Sequence, residues 1–253
     1  MAKFEAQRVD EATPAAEYAV PGSSASAVIE SRLLTSETSG LWLAVTTLAD
    51  SARVTIVARP PGAAVFVERG GLRLHDGREC PPDGAVMIGG GQTLDATAVG
   101  ATRLAHFGGG EPHSGGDVAP EILVIGERAR YESGSREGVQ ARWFGDSSDE
   151  RCPLTLLHVA QAEADKNGPP HSHSAHEVIY LLEGGVTMGA HRYGAGTALF
   201  IPRDVRYALS GGPDGYAFLN FRAEASVQTY ARDQPPVEES ALARGGTLVD
   251  DIR

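Results

Sequence analysis

Residues 168–185, GPPHSHSAHEVIYLLEGG, place three histidines and a glutamate between a Gly-Pro-Pro bend and a run of apolar residues. His171 and His173 are two residues apart, so on a strand both side chains point to the same face. Glu177 follows a short gap in which the chain can turn back and aim its carboxylate at the same point. The adjacent His176 is expected to point the other way, to the rim. Two imidazoles and one carboxylate suit a divalent metal such as Fe(II), Mn(II), Ni(II), Co(II) or Zn(II).

Short apolar runs separated by turn residues fill the rest of the chain. The sequence has 31 glycines and 15 prolines, and between them lie runs such as LWLAVTTL, RVTIVA, EILVIGE, LTLLHVAQA and GYAFLNFR. Such runs, with almost no helical periodicity, are typical of a β-sandwich or β-barrel. The sequence therefore predicts an all-β fold, with one short helix near the C-terminus in PPVEESALAR.

The chain also contains a weak internal repeat. The segment AAVFVERGGLRLHDGRECPPDGAVMIGG from Ala63 aligns with EVIYLLEGGVTMGAHRYGAGTALFIPR from Glu177, and Gly70 then falls on Gly184. This predicts two similar β units joined by the linker FGGGEPHSGGD. Ala63 takes the place of Glu177, and no histidine lies in the segment before it. The first unit is therefore expected to be structural.

Two motifs in the second unit resemble those of the cupin superfamily. GPPHSHSAHEVIYLLEG is similar to the first cupin motif, G-x5-H-x-H-x3,4-E-x6-G, with Gly184 at the required distance from Glu177, although the leading glycine is displaced. GTALFIPRDVRY is similar to the second motif, with Gly196 and Pro202 in register. Tyr207 stands where that motif has its fourth metal ligand, a histidine. The resemblance covers most of residues 150–225 and, through the repeat, about 40–110.

The resemblance implies an all-β fold of two cupin-type β-barrels in one chain, each a double-stranded β-helix of jelly-roll type. The chain would then be a bicupin whose N-terminal barrel is degenerate and has no metal ligands. The predicted boundaries are an N-terminal arm at 1–28, a degenerate barrel at 29–110, a Gly-rich linker at 111–120, a metal-binding barrel at 121–230 and a C-terminal tail with a short helix at 231–253.

The resemblance also implies one divalent metal ion, held by His171, His173 and Glu177. Fe(II) is favoured, with Zn(II), Ni(II) or Mn(II) as alternatives. Tyr207 is predicted to act on the substrate as a catalytic hydroxyl, because a phenol with an ordinary pKa near 10 is a costly metal ligand. His158, in LTLLHVAQA, is predicted to face the barrel interior as a catalytic proton carrier.

Three functions follow from this interpretation. The favoured one is an Fe(II) dioxygenase or oxygenase acting on a small organic molecule, because many bicupins are dioxygenases. The alternative is a non-redox metal-dependent lyase, isomerase or dehydratase that uses Tyr207 as acid or base. A further alternative is a non-catalytic cupin that binds or senses a small molecule.

Composition excludes several other classes of protein. A formal net charge of -11 argues against a nucleic acid partner, which needs a basic face. No apolar run reaches about 18 residues, so no membrane span is expected, and no signal segment is visible. Cys80 and Cys152 fit no metal or redox spacing and are predicted to be buried free thiols. We expect a cytoplasmic protein and, by analogy with cupins, a homodimer.

Overall fold

The structure, a computed structural model, describes residues 4–110, 119–126, 129, 131–136, 138–162, 168–230, 235–244 and 247–248. Strands account for most of these residues, so the predicted all-β class is confirmed. Within the same ranges, no helix has the length and apolar character needed to cross a membrane. Cys80 and Cys152 are buried free thiols, as predicted.

Most strands before the linker form one antiparallel sheet, here called the N-terminal sheet. In the described part of the chain it has nine strands: β2 (Ser24–Ala25), β3 (Val28–Thr35), β4 (Leu41–Leu48), β5 (Arg53–Val57), β6 (Gly62–Leu74), β7 (Glu79–Cys80), β8 (Ala85–Gly89), β9 (Thr93–Gly109) and β10 (Ile122–Ile125).

The later strands form a second antiparallel sheet, here called the C-terminal sheet. Its nine described strands are β1 (Glu5–Arg8), β11 (Tyr131–Arg136), β12 (Val139–Gly145), β13 (Thr155–Gln161), β15 (Glu177–Met188), β16 (His191–Gly194), β17 (Thr197–Ile201), β18 (Ser210–Arg222) and β21 (Thr247–Leu248). A small third sheet contains β14 (Ser172–His173), β19 (Val227–Thr229) and β20 (Val237–Glu238). A 3-10 turn at Val9–Glu11 and the helix α1 (Glu239–Arg244), where the sequence predicted one, complete the elements.

The repeated segments make the same strand pairings. Strand β6 pairs with β8 and β9, and β15 pairs with β17 and β18. The registers of β6 with β9 and of β15 with β18 also correspond, because Ala64 lies opposite Phe107 while Val178 lies opposite Phe221. Where the C-terminal sheet has the carboxylate of Glu177, the N-terminal sheet has only the methyl group of Ala63.

Each sheet takes one edge strand from the part of the chain that mainly forms the other sheet. Strand β1 pairs with β17, with Glu5 opposite Phe200, and β10 pairs with β8, with Ile122 opposite Ile88. Strand β1, which lies in the predicted 1–28 arm, therefore belongs to the C-terminal sheet. The start of the predicted metal-binding barrel, residues 122–125, lies in the N-terminal sheet. Each pairing covers an edge strand that would otherwise expose unpaired backbone groups.

A shared core joins the inner faces of the two sheets. Phe107 stacks on Phe221 with ring centroids 5.5 Å apart, and Phe66 meets Phe144 edge to face at 5.6 Å. Alternation along β15 sends Val178 and Tyr180 into this core. Ile179 and Leu181, which alternate with them, point to the other face of the C-terminal sheet. There they belong to a second apolar cluster: Ile179, Leu181, Val186, Met188, Leu199, Ile201, Tyr207, Leu209 and Phe218. Glu177 lies on that second face.

Candidate active site

The histidine segment is tied to the loop that carries Tyr207. The backbone N–H of His171 donates to the Tyr207 carbonyl at 2.9 Å, and the N–H of Tyr207 donates back to the His171 carbonyl at 2.9 Å. The N–H of Asp204 donates to the His173 carbonyl at 2.7 Å. The rings of His171 and Tyr207 are consequently only 4.6 Å apart between centroids. Two motifs that lie far apart in sequence thus form one site.

The three predicted metal ligands lie close together. His173 and Glu177 are buried, and the Nε2 atom of His173 is 3.8 Å from Oε2 of Glu177. The ring of half-buried His171 meets that of His173 nearly at right angles, with centroids 4.9 Å apart. The Nδ1 atom of His171 is 2.9 Å from the carbonyl oxygen of Pro169. A carbonyl only accepts, so Nδ1 carries the proton and Nε2 keeps its lone pair.

An arginine from outside the two motifs lies among these ligands. Arg222, at the end of β18, is 2% exposed. Its Nη2 atom donates to Oε2 of Glu177 at 2.9 Å and to Nε2 of His173 at 3.1 Å. A guanidinium only donates, so Nε2 of His173 is the acceptor and the proton of this ring is on Nδ1.

A second carboxylate reaches the cluster from the C-terminal segment. Glu239, the first residue of α1, is 2% exposed, and its Oε1 atom lies 2.6 Å from Nδ1 of His173. Its Oε2 atom lies 2.8 Å from Nη1 of Arg222. The small third sheet brings it there, because the backbone N–H of Glu239 donates to the carbonyl of Ser226 at 3.1 Å.

An amide from β18 completes the set. Nδ2 of Asn220 donates to Oε2 of Glu177 at 2.9 Å. Alternation along β18 places Phe218, Asn220 and Arg222 on one face of the strand. The run GYAFLNFR therefore contains a signal for this site, because two of its polar residues share a strand face with an apolar one.

The surroundings set the protonation of three groups. Burial alone would raise the pKa of Glu177, but the charge of Arg222 and hydrogen bonds outweigh it and hold this pKa below its ordinary value. The pKa of Tyr207 is raised well above 10 by burial and by the charge of Glu177. Burial lowers the pKa of His171. Near neutral pH, Glu177 is therefore ionised, Tyr207 keeps its proton and His171 is neutral.

Several buried polar atoms of this cluster lack a hydrogen-bond partner. They are Oε1 of Glu177, Oδ1 of Asn220, Oε2 of Glu239, Nε and Nη1 of Arg222, Nδ1 of His173 and Oγ of Ser226. The contacts of Glu239 with His173 and Arg222 are short but poorly directed for hydrogen bonds. Buried polar atoms are normally paired, so their concentration sets this cluster apart from the apolar core around it.

His158 lies away from this cluster, contrary to the prediction that it faces the barrel interior with the metal ligands. In the register of β13 and β18, Leu157 is opposite Asn220, whereas His158 is opposite Leu219. Strand alternation therefore turns His158 to the other face, where its ring stacks on Phe66 at 6.3 Å. Burial and the charge of Arg142 lower its pKa to about 4.

The rim position of His176 stays a prediction. The Nδ1 atom of His176 accepts a hydrogen bond from the backbone N–H of Arg203 at 3.1 Å.

As arranged here, the donors do not fit a metal ion. Among the described residues, no three His, Cys, Asp or Glu side chains form a group that holds a metal. The guanidinium of Arg222 occupies the space between Glu177 and His173, where a metal would lie about 2.0–2.2 Å from both ligand atoms. The metal site of His171, His173 and Glu177 stays a prediction.

Comparison with known proteins gives the fold. No family model and no curated protein matches the chain. A variant of Bacillus subtilis oxalate decarboxylase superposes with a TM-score of 0.69 at 13% identity, covering 95% of this chain and 83% of that one. A glyoxylate-induced protein from Pseudomonas aeruginosa gives 0.66 at 16%, covering 92% and 90%.

Bacillus subtilis oxalate decarboxylase was also solved in work on its Mn(II) centres, and that structure gives a TM-score of 0.65 at 13% identity, covering 92% and 78%. At such identities the likeness shows the fold, and it leaves activity and metal content open. The chain therefore shares with these proteins the all-β, cupin-type fold that its two motifs implied.

Proposed function

We propose that the chain is an enzyme of the non-redox type, a lyase or isomerase, that acts on a small organic acid or carbonyl compound. One observation carries the proposal: a phenol, a neutral imidazole and a guanidinium meet in one cluster that also contains unpartnered polar atoms. Such a set can bind a substrate oxygen, accept a proton and stabilise developing negative charge.

Arg222 is the group that would bind the oxygen atoms of the substrate. Its Nε–H has no hydrogen-bond partner, and a guanidinium matches the geometry of a carboxylate. Glu177 and Glu239 contact the guanidinium from two sides and offset its charge. The carboxylates thus position Arg222 for an anionic or carbonyl group.

His171 and Tyr207 are suited to opposite roles in proton movement. His171 is neutral, and its Nε2 lone pair is free because Nδ1–H bonds to the Pro169 carbonyl. It is the better base of the two. Tyr207 holds its proton, so it donates a hydrogen bond to an oxygen on which negative charge develops.

This geometry favours a lyase or isomerase over the Fe(II) dioxygenase first expected. An iron oxygenase needs a facial ligand set with open positions for substrate and oxygen. Arg222 stands among those ligands, and Tyr207 replaces the fourth ligand of the cupin motif. Oxalate decarboxylase, one of the proteins of similar fold, is named for removing carbon dioxide from a small organic acid. That precedent supports the class of substrate by analogy.

A substrate panel tests the proposal. The protein is incubated with small carboxylic, dicarboxylic and keto acids, with turnover followed by NMR and oxygen uptake by electrode. We expect conversion without oxygen uptake, and a loss of about 100-fold or more in kcat for Tyr207→Phe. Tyr193→Phe, on β16 and not among the polar residues of the site, is the matched control and should keep wild-type activity.

Two outcomes would contradict the proposal. Conversion coupled to oxygen consumption would restore the oxygenase interpretation. Saturable binding of an acid without any conversion would instead favour the sensor interpretation.

A further inference from the structure

The spacing of the predicted ligands admits a cation. Oε2 of Glu177 and Nε2 of His173 are 3.8 Å apart. Two atoms that each lie about 2.0–2.2 Å from one metal ion are at most about 4.4 Å apart, so this distance alone is compatible with metal binding. What fills the gap is the Nη2 atom of Arg222, at 2.9 Å from the first ligand atom and 3.1 Å from the second.

The charges of the cluster are already arranged around Arg222. Two carboxylates, Glu177 and Glu239, contact the one guanidinium, and Nε2 of His173 accepts a hydrogen bond from it. A divalent cation placed beside the guanidinium would be repelled at very short range in a buried site. Without Arg222, the two carboxylates would present the charge that a divalent cation neutralises.

Two features outside the motif support this arrangement. Glu239 comes from the C-terminal segment, and it supplies the second carboxylate that a buried guanidinium requires. Tyr207 removes the fourth ligand that the cupin pattern provides, and its ring packs against His171. The site thus lacks the fourth ligand of the cupin motif, and the positive charge at its centre is the guanidinium of Arg222.

We propose that the guanidinium of Arg222 takes the place of the divalent cation in this cupin-type site, so that the protein works without a bound metal. The inference deepens the proposed function, on which it rests for the role of Arg222 toward substrate. It assigns the positive group that holds the substrate oxygen to a side chain, and it excludes steps that need a redox metal.

Metal content and thermal stability test this directly. The protein is purified without chelator and analysed for iron, manganese, zinc, nickel and cobalt, and its unfolding temperature is then measured with and without MnCl2 and ZnCl2. We expect far less than stoichiometric metal, and no rise in the unfolding temperature on adding either salt. Stoichiometric metal that is lost in His173→Ala would overturn the proposal.

Variants at Arg222 test whether its charge excludes the metal. Arg222→Met removes the charge at similar length and should raise affinity for Mn(II) or Zn(II) by about tenfold or more, seen as a metal-dependent rise in unfolding temperature. Arg222→Lys keeps a charge and should stay metal-free. The gain should vanish when Glu177→Gln is added to Arg222→Met. A folded Arg222→Met protein that gains no affinity for Mn(II) or Zn(II) would contradict the proposal that Arg222 takes the place of the cation.

These measurements separate this inference from the proposed function. If Arg222→Met does not fold, the metal content of the wild-type protein still decides. A metal-free protein that converts no acid keeps the Arg222 assignment and removes the lyase proposal. A protein that holds metal and converts acids without oxygen uptake keeps the lyase proposal and removes the Arg222 assignment.

Discussion

At the scale of single residues, His106 is a second buried titratable site. It is fully buried in the N-terminal sheet, with Nδ1 3.1 Å from the Tyr18 hydroxyl and its ring edge-on to Trp42 at 4.8 Å. Burial lowers its pKa to about 3, while in the unfolded chain it returns to about 6.5. Below pH 6.5 the unfolded chain therefore binds a proton that the folded chain does not.

The free energy of unfolding should consequently fall as the pH drops from 6.5 toward 3. His106 contributes a slope that approaches about 1.4 kcal/mol per pH unit midway through this window. We expect urea unfolding of His106→Phe at pH 7, 6, 5 and 4 to show a flatter dependence than the wild type. His191→Gln is the control, because that ring is exposed in the folded protein. Equal slopes for wild type and His106→Phe would refute the assignment.

Gly184 is a glycine whose conformation the fold requires. It has φ of +60°, and a Cβ placed on it would overlap the carbonyl oxygen of Gly215. Gly189 also has φ of +60°, but a Cβ there meets nothing within 4 Å. The two positions therefore separate the cost of the left-handed backbone from the cost of a steric overlap.

We expect Gly189→Ala to lower the free energy of unfolding by about 1–2 kcal/mol, the cost of a left-handed L-residue. Gly184→Ala should cost more, about 3–4 kcal/mol, because the backbone of Gly215 must also move. Urea unfolding at one pH measures both. Equal losses would mean that the overlap relaxes at no cost.

The site was only partly predictable from sequence. His171, His173, Glu177 and Tyr207 lie together because two short motifs carry them. Arg222 is 45 residues from Glu177, and only strand alternation hinted at it. Nothing local marked Glu239, whose position depends on how the chain folds back over the sheet.

At the scale of elements, the small third sheet and α1 hold Glu239 over the cluster. Strand β14 carries His173, which pairs with Gln228 of β19, and β20 leads directly into α1. The C-terminal segment therefore belongs to the site, although its sequence resembles a loose tail.

Glu239→Gln should lower the free energy of unfolding by about 1–3 kcal/mol, because Arg222 keeps one carboxylate and loses the other. Glu238→Gln, at the exposed neighbouring position, should change it by less than about 0.5 kcal/mol. Thermal and urea unfolding of the two variants provide the comparison. A Glu239→Gln protein as stable as Glu238→Gln would show that the pairing with Arg222 contributes little.

Sequence patterns predicted the central strands better than the edges. β6 and β15 each contain an apolar run, and their repeat alignment matches the observed registers with β9 and β18. β1 has the sequence EAQR, with half-buried residues alternating with exposed ones, so it carries no apolar signal. An edge strand of this kind is stabilised by backbone pairing, which composition does not reveal.

At the scale of the whole molecule, the two sheets are interdependent. Their inner faces share one core, and each sheet takes an edge strand from beyond its own segment. Phe107 in the N-terminal sheet and Phe221 in the C-terminal sheet bury each other. If one sheet unfolded, the other would expose this face and lose an edge strand.

The intact chain should therefore unfold in one cooperative transition, and its two tryptophans allow each sheet to be followed separately. Trp42 lies on β4 of the N-terminal sheet and Trp143 on β12 of the C-terminal sheet. Trp42→Phe leaves a fluorescent reporter in the C-terminal sheet, and Trp143→Phe leaves one in the N-terminal sheet. Within each variant, we expect urea transitions followed by fluorescence and by circular dichroism to coincide, as two-state unfolding requires. A fluorescence midpoint that departs from the circular dichroism midpoint would mean that the two sheets unfold independently. The shared core would then not couple the stability of one sheet to that of the other.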